Sequence, residues 1–458
     1  MIDGIIIIGG GFAGAVTAIK LAELGCTAPV TIVEPRAQLG RGIAYSTTEL
    51  DHLVNGPARR FGLYPDDPDH LPRWLAAHPD RRGWPGPKGG DFGGCFPPRI
   101  LYGDYVQSEL AKVGARHEVD TVTDLSGDGE VSLASGRRIR AARIVLATGL
   151  MRNEGSFVLG DDVRSGGRYV ADPWSTDAYR SVGPTGDIAV IGGGLTMLDV
   201  VISLEKRGFR GRYFVFSRRG HLVRSRREVE PWPVSGLGET LPRTALGVLR
   251  RIRRELRAVL AAGDDWQRLV LALRPHVDAL WAGADDIERR RFARHLRRYW
   301  DLAFHRAVPD SQAWLDRVRA QGRLFNLAGS VRSLVRAPDG GIDMAWHSPG
   351  VAASKTRRFD HVVNAAGHDA DWRRISSPLV RNLVTKGLVR PHPVGFGIVA
   401  DPGTGIVIDA TGHHSRHLLA VGHPLRGAMW ESSSIPEQIA GATRVAQAIS
   451  ISGMRRVA

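Results

Sequence analysis

Two glycine-rich loops, each directly after a short apolar segment, have the spacing needed to hold a dinucleotide. The first is GGGFAG, residues 9–14, after Ile5–Ile8, and the second is GGGLTM, residues 192–197, after Ile188–Ile191. In such a loop the first glycine allows a tight turn, the second lets the backbone approach a pyrophosphate, and the third lets a helix pack closely. That helix directs its N-terminal amides at the phosphates. The sequence therefore predicts two nucleotide cofactors.

The strands that follow the two loops end in side chains of opposite charge. Glu34 ends the first, where a carboxylate accepts hydrogen bonds from a ribose 2′-hydroxyl. Arg218 and Arg219 end the second, where guanidinium groups favour a 2′-phosphate. We predict FAD at the first loop and NADPH at the second, with NADH as an alternative. The residues assigned to FAD are Gly9, Gly11, Phe12, Ala13, Gly14 and Glu34, and those assigned to NADPH are Gly192, Gly194, Thr196, Ser217, Arg218 and Arg219.

The second loop departs from the usual pattern, because Met197 stands where a third small residue is expected. We expect looser packing of its helix on the strand. Arginine is also abundant throughout this chain, so ordinary solvated surface charge is an alternative reading of Arg218 and Arg219. Their position at the carboxyl end of a strand, next to a glycine loop, favours the phosphate reading.

The composition of the 458-residue chain predicts about three domains and a strongly basic surface, with a net charge of +15. Arginine carries almost all of the basic charge, and no helix-turn-helix or aromatic-interleaved basic module accompanies it. We therefore expect the charge to attract anionic cofactors and substrates rather than nucleic acid.

The two cysteines, Cys26 and Cys95, form no CxxC motif, which removes the dithiol that a flavin disulfide reductase uses. The spacing of His413, His414, His417 and His423 matches no metal-site pattern, so no metal is predicted. No apolar run approaches the length of a membrane span, and the first strand starts too early to leave room for a signal peptide. A cytoplasmic protein with no membrane partner is expected.

The pattern of elements after each loop is repeated along the chain. Each loop is followed by a helix, a second strand, a small meander and a returning buried strand, which ends at Gly149 in one half and Gly367 in the other. Long helical segments interrupt the second half at about 243–319. We predict an α/β fold of two Rossmann-like dinucleotide-binding domains, the second, with its helical insertion, inserted in the first. The predicted parts are residues 1–183 and 368–458 for the FAD domain and 184–367 for the NADPH domain.

Several segments resemble one family over nearly the whole chain, namely the bacterial FAD–NAD(P)-binding family related to the flavin monooxygenases with two dinucleotide domains. The similar segments are residues 40–60, residues 192–199, SRRG at 217–220 and WESSSIPE at 430–437. The related enzymes include N-hydroxylases of ornithine and lysine, and members of this length include FAD-dependent urate hydroxylases. The FxGxxxHxxxW signature of Baeyer–Villiger enzymes is absent, and YVADPW, residues 169–174, occupies that region.

The resemblance implies further cofactor contacts. It places the loop from Ala44 to Asn55 beside the phosphates or the flavin, and it places Gly422 and the terminal helix near Ile435 at the flavin pyrimidine, where a helix N-terminus stabilises negative charge. His423-Pro424 stands where related flavoproteins often carry Gly-Asp. No catalytic side chain is predicted. The cofactor contacts expected on this basis are Ala44, Tyr45, Asn55, Val119, Thr148, Gly149, Gly422, Trp430 and Ile435.

Two facing cofactors imply that NADPH reduces the flavin and that the reduced flavin then meets another acceptor. Because no dithiol is present, we expect dioxygen as that acceptor and a flavin C4a-hydroperoxide as the hydroxylating species, kept from decay by exclusion of water. The leading interpretation is an NADPH- and FAD-dependent monooxygenase of a small nitrogen-rich substrate, with urate as the example. The alternatives are an amine or amino-acid N-hydroxylase, a dehydrogenase that passes electrons to a quinone or protein, and a non-catalytic nucleotide sensor.

Overall fold

The four isoleucines that precede the first glycine loop form a strand buried on both faces, as a central strand of a parallel sheet must be. In the computed structural model, residues 4–78, 81–153, 155, 157–233 and 242–454 are described. The strands before the second loop are β1 Ile5–Ile8, β2 Val30–Val33, β3 Arg116–Glu118, β4 Val122–Leu125, β5 Glu130–Leu133, β6 Arg138–Arg140, β7 Arg143–Leu146, β8 Met151–Arg152, β9 Val158–Leu159 and β10 Tyr169–Val170. The helices there are α1 Phe12–Glu23, α2 His70–Ala76, α3 Arg99–Leu110 and α4 Asp161–Ser165.

The second half repeats this arrangement with more helix. Its strands are β11 Asp187–Ile191, β12 Arg212–Ser217, β13 Leu324–Ala328, β14 Ser330–Arg336, β15 Ile342–His347, β16 Ser354–Phe359 and β17 His361–Asn364. Its helices are α5 Leu195–Lys206, α6 Ala245–Ala261, α7 Gln267–Leu273, α8 Val277–Gly283, α9 Asp286–Arg291, α10 Arg297–Phe304 and α11 Pro309–Ala320. The last part of the chain adds β18 His368–Asp369, α12 Pro378–Thr385, β19 Ile406–Ile408, β20 His414–Ala420 and α13 Ile435–Met454.

The first sheet contains strands from both ends of the chain, in the order β19-β20-β7-β1-β2-β3. β7 is parallel to β1, and Leu418, Leu419 and Ala420 of β20 lie parallel beside Ile144, Val145 and Leu146 of β7. The second sheet, β10-β17-β11-β12-β13, consists of parallel strands formed by the intervening residues. The predicted fold class is therefore confirmed: an α/β chain of two dinucleotide-binding domains, the second inserted in the first.

The chain passes between the domains through a two-stranded antiparallel ribbon of β8 and β18. The second domain begins earlier than predicted. β9 pairs with β14, and β10 pairs with β17, so both strands already belong to second-domain sheets. The predicted boundary at 183/184 is wrong for this reason, because two short strands of two residues each carry too little periodic pattern to show which sheet they join.

The helical insertion between β12 and β13 reaches back to the first domain. Val259, Leu269 and Trp281 of the insertion share a core with Phe396 and Trp430 from the last part of the chain. The final helix of the predicted insertion, α11, packs instead on α5 as an ordinary crossover helix of the second domain. Helix α6 of the insertion is not covered along its whole length, since its Leu246 and Leu260 keep 54% and 58% of their surface exposed.

The terminal helix α13 packs along α1, the helix that begins at the first glycine loop. Ile439, Ala442 and Val445 of α13 are buried in the same core as Val16 and Ile19 of α1. This contact brings the N-terminus of α13 back to the first loop. Among the described residues, none of the helices combines the length and apolarity that crossing a bilayer requires.

Trp430 is the central side chain of the contact between the insertion and the first domain. Its ring lies 4.8 Å from Trp281, 5.0 Å from Phe292 and 5.2 Å from Phe396, measured between centroids. We predict that Trp430→Ala lowers the free energy of unfolding by about 3–5 kcal/mol, the usual cost of emptying a buried aromatic site. Leu246→Ala, at an exposed position on α6, is the control and should cost less than about 0.5 kcal/mol. Denaturant titration of both variants measures this, and equal losses would contradict a structural role for Trp430.

Candidate functional site

The first glycine loop has the close contacts that its spacing predicts. Gly9 has a φ of 103°, and a Cβ there would collide with the carbonyl oxygen of Ala147. A Cβ on Gly14 would collide with the carbonyl oxygen of Gly9, so only glycine lets α1 pack this closely on its strand. Gly11 precedes α1, and no described side chain caps that helix. Its first amides are therefore available to a phosphate group.

Glu34 lies at the carboxyl end of β2, buried to 5% exposure beside the loop. One carboxylate oxygen accepts a hydrogen bond from the Gly10 amide at 2.8 Å, and the other accepts from Arg36 Nε at 2.7 Å. Burial would raise the pKa of Glu34, but the Arg36 guanidinium and the Gly10 amide outweigh it and lower that pKa. Val119 follows β3, the strand next to β2, and is 62% exposed. The site predicted for the adenosine end of FAD thus contains the ionised carboxylate of Glu34 and, next to it, the solvent-exposed end of β3 at Val119.

Two features on the flavin side of this loop fit a bound cofactor. Thr148 directly follows Ala147, and its hydroxyl oxygen is buried with no hydrogen-bond partner among the described residues. Gly422 has a φ of 74°, and a Cβ on it would lie 3.2 Å from both Ala13 Cβ and Gln438 Oε1. The last part of the chain therefore meets the start of α1 where the resemblance places the flavin. These residues fit FAD.

The second loop is more open to solvent than the first. Gly192 has a φ of 121°, and a Cβ there would collide with the carbonyl oxygen of Ala365, whereas a Cβ on Gly194 would meet nothing within 4 Å. Met197 is fully buried, but the first hydrogen bond of α5, from Leu198 N to Gly194 O, measures 3.4 Å. The equivalent bond of α1, from Ala15 N to Gly11 O, measures 3.0 Å. The longer bond agrees with the looser helix start predicted from Met197.

Arg218 and Arg219 lie where the sequence predicts, at the carboxyl end of β12, and both are exposed. Ser217 Oγ donates a hydrogen bond to the carbonyl of His221 at 2.9 Å, which holds this turn. Within the described ranges no carboxylate lies within ion-pair distance of either arginine, and Arg332 of β14 lines the same wall. Both guanidinium groups therefore lack a carboxylate partner among the described residues, and their binding of a 2′-phosphate stays a prediction.

Residues of both domains line one cavity of about 1770 Å³. Its wall includes the following predicted site residues: Ala44, Tyr45, Asn55, Gly149, Gly192, Gly194, Thr196, Ser217, Arg218, Arg219 and Ile435. The other predicted residues lie away from this wall. Phe12, for example, is buried 5.6 Å from the ring of Tyr45, a side chain that does line it.

Trp430 was predicted as a cofactor contact, and the structure places its ring in a core and not on the wall of this cavity, so the contact stays a prediction. Its ring is 1% exposed inside the aromatic cluster described above, with Arg426 stacked on it at 4.8 Å. The side chain at the cavity wall is its neighbour, Glu431. Local sequence cannot separate these two positions, because the direction of each side chain depends on the insertion that covers Trp430.

Glu431 is a buried anion on this wall. It accepts a hydrogen bond from Trp300 Nε1 at 2.7 Å, and His305 Nε2 lies 3.5 Å away. Burial alone would raise the pKa of Glu431, but His305, Trp300 and Arg426 together lower it to about 2. The carboxylate therefore stays ionised at any physiological pH and connects the insertion to the start of α13.

Two histidines that sequence reasoning left without a role, His368 and His423, also line the cavity. Burial, with a contribution from Arg426, lowers the pKa of His368 to about 4. Burial and the charges of His368 and Arg426 lower the pKa of His423 to about 3. Both imidazoles are therefore neutral at pH 7 and add no positive charge to the wall.

A cross-domain ion pair fixes α5 relative to the first domain. Arg99 Nη2 of α3 donates to the Asp199 carboxylate of α5, and Lys206 Nζ lies 2.8 Å from Asp51 Oδ2. His52 Nε2 donates to the Asp199 carbonyl at 3.1 Å, and Thr47 Oγ1 lies 2.7 Å from the other ring nitrogen. These contacts were not predicted, because their partners are about a hundred or more residues apart in the chain. They hold Tyr45 and Asn55 of the first domain and the second glycine loop on the wall of one cavity.

Comparison with protein-family models gives a match for the first domain. Residues 6–151 match the FAD-NAD(P)-binding family. The resemblance indicated by the motifs is confirmed over this segment, and FAD and a nicotinamide dinucleotide are the cofactor types of that family. The preference for NADPH over NADH stays a prediction. Among curated proteins, no sequence matches significantly.

Solved structures with two dinucleotide domains match the whole chain. The ornithine N-hydroxylase of Kutzneria sp. 744, whose structure is described with reduced FAD, NADP⁺ and L-ornithine, has a TM-score of 0.60 and 16% identity, covering 99% of this chain and 100% of that one. The cadaverine monooxygenase of Erwinia amylovora gives 0.62 and 13%, covering 98% and 95%. The thioredoxin reductase of Lactococcus lactis gives 0.53 and 11%, covering 98% of each chain. At these identities the likeness shows a shared fold.

The two glycines of the second loop provide a matched test of the NADPH site. Gly192→Ala should destabilise the domain, because its backbone conformation and the Ala365 carbonyl both exclude a side chain. Gly194→Ala should fold normally, since its Cβ points into open space, but should raise the KM for NADPH by about tenfold by filling the position of the pyrophosphate. Thermal melting and steady-state kinetics separate the two effects. An unchanged KM in Gly194→Ala would refute the placement.

The charge of the second strand end predicts the choice of nicotinamide cofactor. Replacing Arg218 and Arg219 together with alanine should raise the KM for NADPH by more than about tenfold, because each charge-assisted phosphate contact contributes about 1.5–3 kcal/mol. The KM for NADH should change by less than about threefold, since NADH lacks the 2′-phosphate. Parallel kinetics with both coenzymes measure this. Equal changes would assign the two arginines to ordinary surface charge.

Proposed function

We propose that this protein is an FAD- and NADPH-dependent monooxygenase that hydroxylates the nitrogen of an amine. The observation that carries the proposal is the single cavity of about 1770 Å³, which residues of both dinucleotide domains line. A cavity shared in this way suits direct hydride transfer between two bound cofactors. The balanced reaction takes an amine, dioxygen, NADPH and a proton to a hydroxylamine, water and NADP⁺.

The residues of this chain would hold the cofactors and exclude water. Gly9, Gly11 and the start of α1 would bind the pyrophosphate of FAD, with Glu34 on the ribose, and the N-terminus of α13 at Ile435 would lie at the pyrimidine. Bound FAD would supply the activation of dioxygen, with electrons from NADPH. The aromatic cluster around Trp430 covers the adjoining side of the site and limits the entry of water.

The thioredoxin reductase among the similarly folded structures raises disulfide reduction as an alternative activity, but the cysteines of this chain do not support it. Such an enzyme needs a reactive dithiol beside the flavin. Cys26 and Cys95 are both free, and the described cavity wall includes neither. Burial raises the pKa of the Cys95 thiol to about 11, which keeps it protonated and unreactive. Without a dithiol, we place dioxygen first as the electron acceptor and keep a quinone or a protein as the alternative.

An amine fits the comparisons better than urate, the substrate favoured by sequence reasoning. The similarly folded structures include hydroxylases of ornithine, lysine and cadaverine, all of them amines. We therefore place N-hydroxylation first and treat a nitrogen-rich ring as an alternative outcome of the assay.

The deciding experiment uses the purified protein loaded with FAD. Anaerobic NADPH should bleach the flavin, and dioxygen with an amine should then give a hydroxylamine that carries one atom from labelled dioxygen, detected by mass. The Gly194→Ala protein, which should bind NADPH more weakly, is the control that shows whether the electrons come from NADPH bound at the second loop. Brisk reduction of an artificial acceptor with no oxygenated product from any amine or purine would instead assign the protein to the dehydrogenases. A flavin that neither nicotinamide cofactor reduces would assign it to the sensors.

A further inference from the structure

Three arginines from separate segments meet on the side of the cavity that faces the first domain. Arg226 Nη1 donates to the Asn55 carbonyl at 3.4 Å, and Arg274 Nη2 donates to Glu437 Oε1 at 3.3 Å. Arg306 Nη1 donates to Gln267 Oε1 of α7. All three arginines line the cavity, and we name them the arginine cluster.

Arg306 is the buried member of the arginine cluster. It is 6% exposed, its Nε has no hydrogen-bond partner, and within the described part of the chain no carboxylate lies at ion-pair distance from it. Burial and the neighbouring charges of Arg226 and Arg274 lower the pKa of its guanidinium to about 10. A buried cation held in this way is costly unless an anion pairs with it. Gln267, itself 2% exposed and bonded to the Ser225 carbonyl, fixes its direction.

The carboxylates around the cluster leave it positively charged. Glu228 pairs with Arg226 at 3.0 Å but is 72% exposed, so water screens it. Asp265 pairs with Arg227, outside the cluster, at 3.0 Å. Glu437 is the remaining neighbour, and burial raises its pKa even beside Arg274. Its second oxygen is buried without a partner in the described structure.

The cluster is separate from the arginines at the predicted 2′-phosphate site. Val223 N donates to the Gly193 carbonyl at 2.7 Å, so the chain leaves the NADPH loop there and continues to Arg226 at Asn55. Glu437, the partner of Arg274, lies in the first turn of α13, beside Ile435. Through Glu437 the cluster reaches the start of α13, which the resemblance places at the flavin pyrimidine, and we place the substrate there.

We propose that the arginine cluster binds an oxyanion of the substrate, so that the amine this protein accepts is one with a net negative charge, such as an amino dicarboxylate. This inference rests on the proposed N-hydroxylation and narrows its substrate class. Three guanidinium groups, of which Arg306 has no carboxylate partner among the described residues, would repel a cationic diamine or basic amino acid and attract an oxyanion. His368 and His423, which also line the cavity, are neutral and add no positive charge of their own to the wall.

The test uses the protein loaded with FAD and probes of graded charge, with saturating NADP⁺ for the melting measurements and with NADPH and dioxygen for turnover. L-aspartate and L-glutamate carry two carboxylates, β-alanine and γ-aminobutyrate are their decarboxylated counterparts, and L-ornithine and cadaverine are cationic. At least one dicarboxylate should raise the melting temperature more than its decarboxylated counterpart and should drive hydroxylamine formation with a kcat/KM at least about tenfold higher. The cationic probes should do neither. Stabilisation by a cationic probe alone, or by no anionic probe, would overturn the proposal.

Arg306→Gln should remove this preference by raising the KM for the anionic amine at least about tenfold, with FAD content and the KM for NADPH within about twofold of the original. If that variant does not fold, Arg274→Gln, at a side chain 40% exposed, should show a smaller loss in the same direction. Arg257→Gln, on the exposed face of α6, controls for net charge. If Arg306→Gln changed the KM for NADPH and not the KM for the anionic amine, the cluster would belong to the cofactor site and the proposal would be overturned.

The two proposals fail in different ways. Anion binding that depends on Arg306, without a hydroxylamine from any amine, would remove the N-hydroxylase function and leave the arginine cluster as an anion site. A hydroxylamine formed from a cationic amine, with equal efficiency in Arg306→Gln, would retain the function and remove the cluster from substrate recognition.

Discussion

The parallel pairing of β20 with β7 brings the end of the chain into the sheet formed by its beginning. Because of that pairing, Gly422 lies just beyond the carboxyl end of β20 and approaches Ala13 at the start of α1. The terminal helix α13 then packs along α1 and begins at the cavity wall. Gly422 and the start of α13 both depend on the register of β20 against β7. A shift of one residue would turn each side chain of β20 to the other face of the sheet.

The same pairing requires the second domain to leave and re-enter the first at neighbouring points. The β8–β18 ribbon makes both crossings side by side, and Arg99 with Asp199 fixes α5 against the first domain. The second glycine loop is thereby held at the same cavity as Tyr45 and Ile435 of the first domain. Hydride transfer needs contact between the two cofactors. The side-by-side crossings, which fix how the two domains face each other, are therefore also a requirement of the proposed chemistry.

The charge of the cavity is the second organising feature. Like charges gathered on one wall raise the energy of the folded protein, and that energy is recovered when phosphates or a substrate oxyanion bind. Arg218, Arg219 and Arg306 place part of the basic charge where anions are expected. Arg306 is buried, and this shielding from water strengthens its interaction with an anion.

The sequence by itself determined the two glycine loops, the charges at Glu34, Arg218 and Arg219, the α/β class and the return of the chain to its first sheet. These follow from local rules, because a glycine at a tight turn or a buried strand is specified within a few residues. Only the tertiary structure decided that Trp430 packs in a core while Glu431 faces the cavity, that β9 and β10 belong to the second domain, and that Arg226, Arg274 and Arg306 meet. Each depends on packing between segments far apart in the chain, and no local pattern specifies which distant surface will cover a side chain.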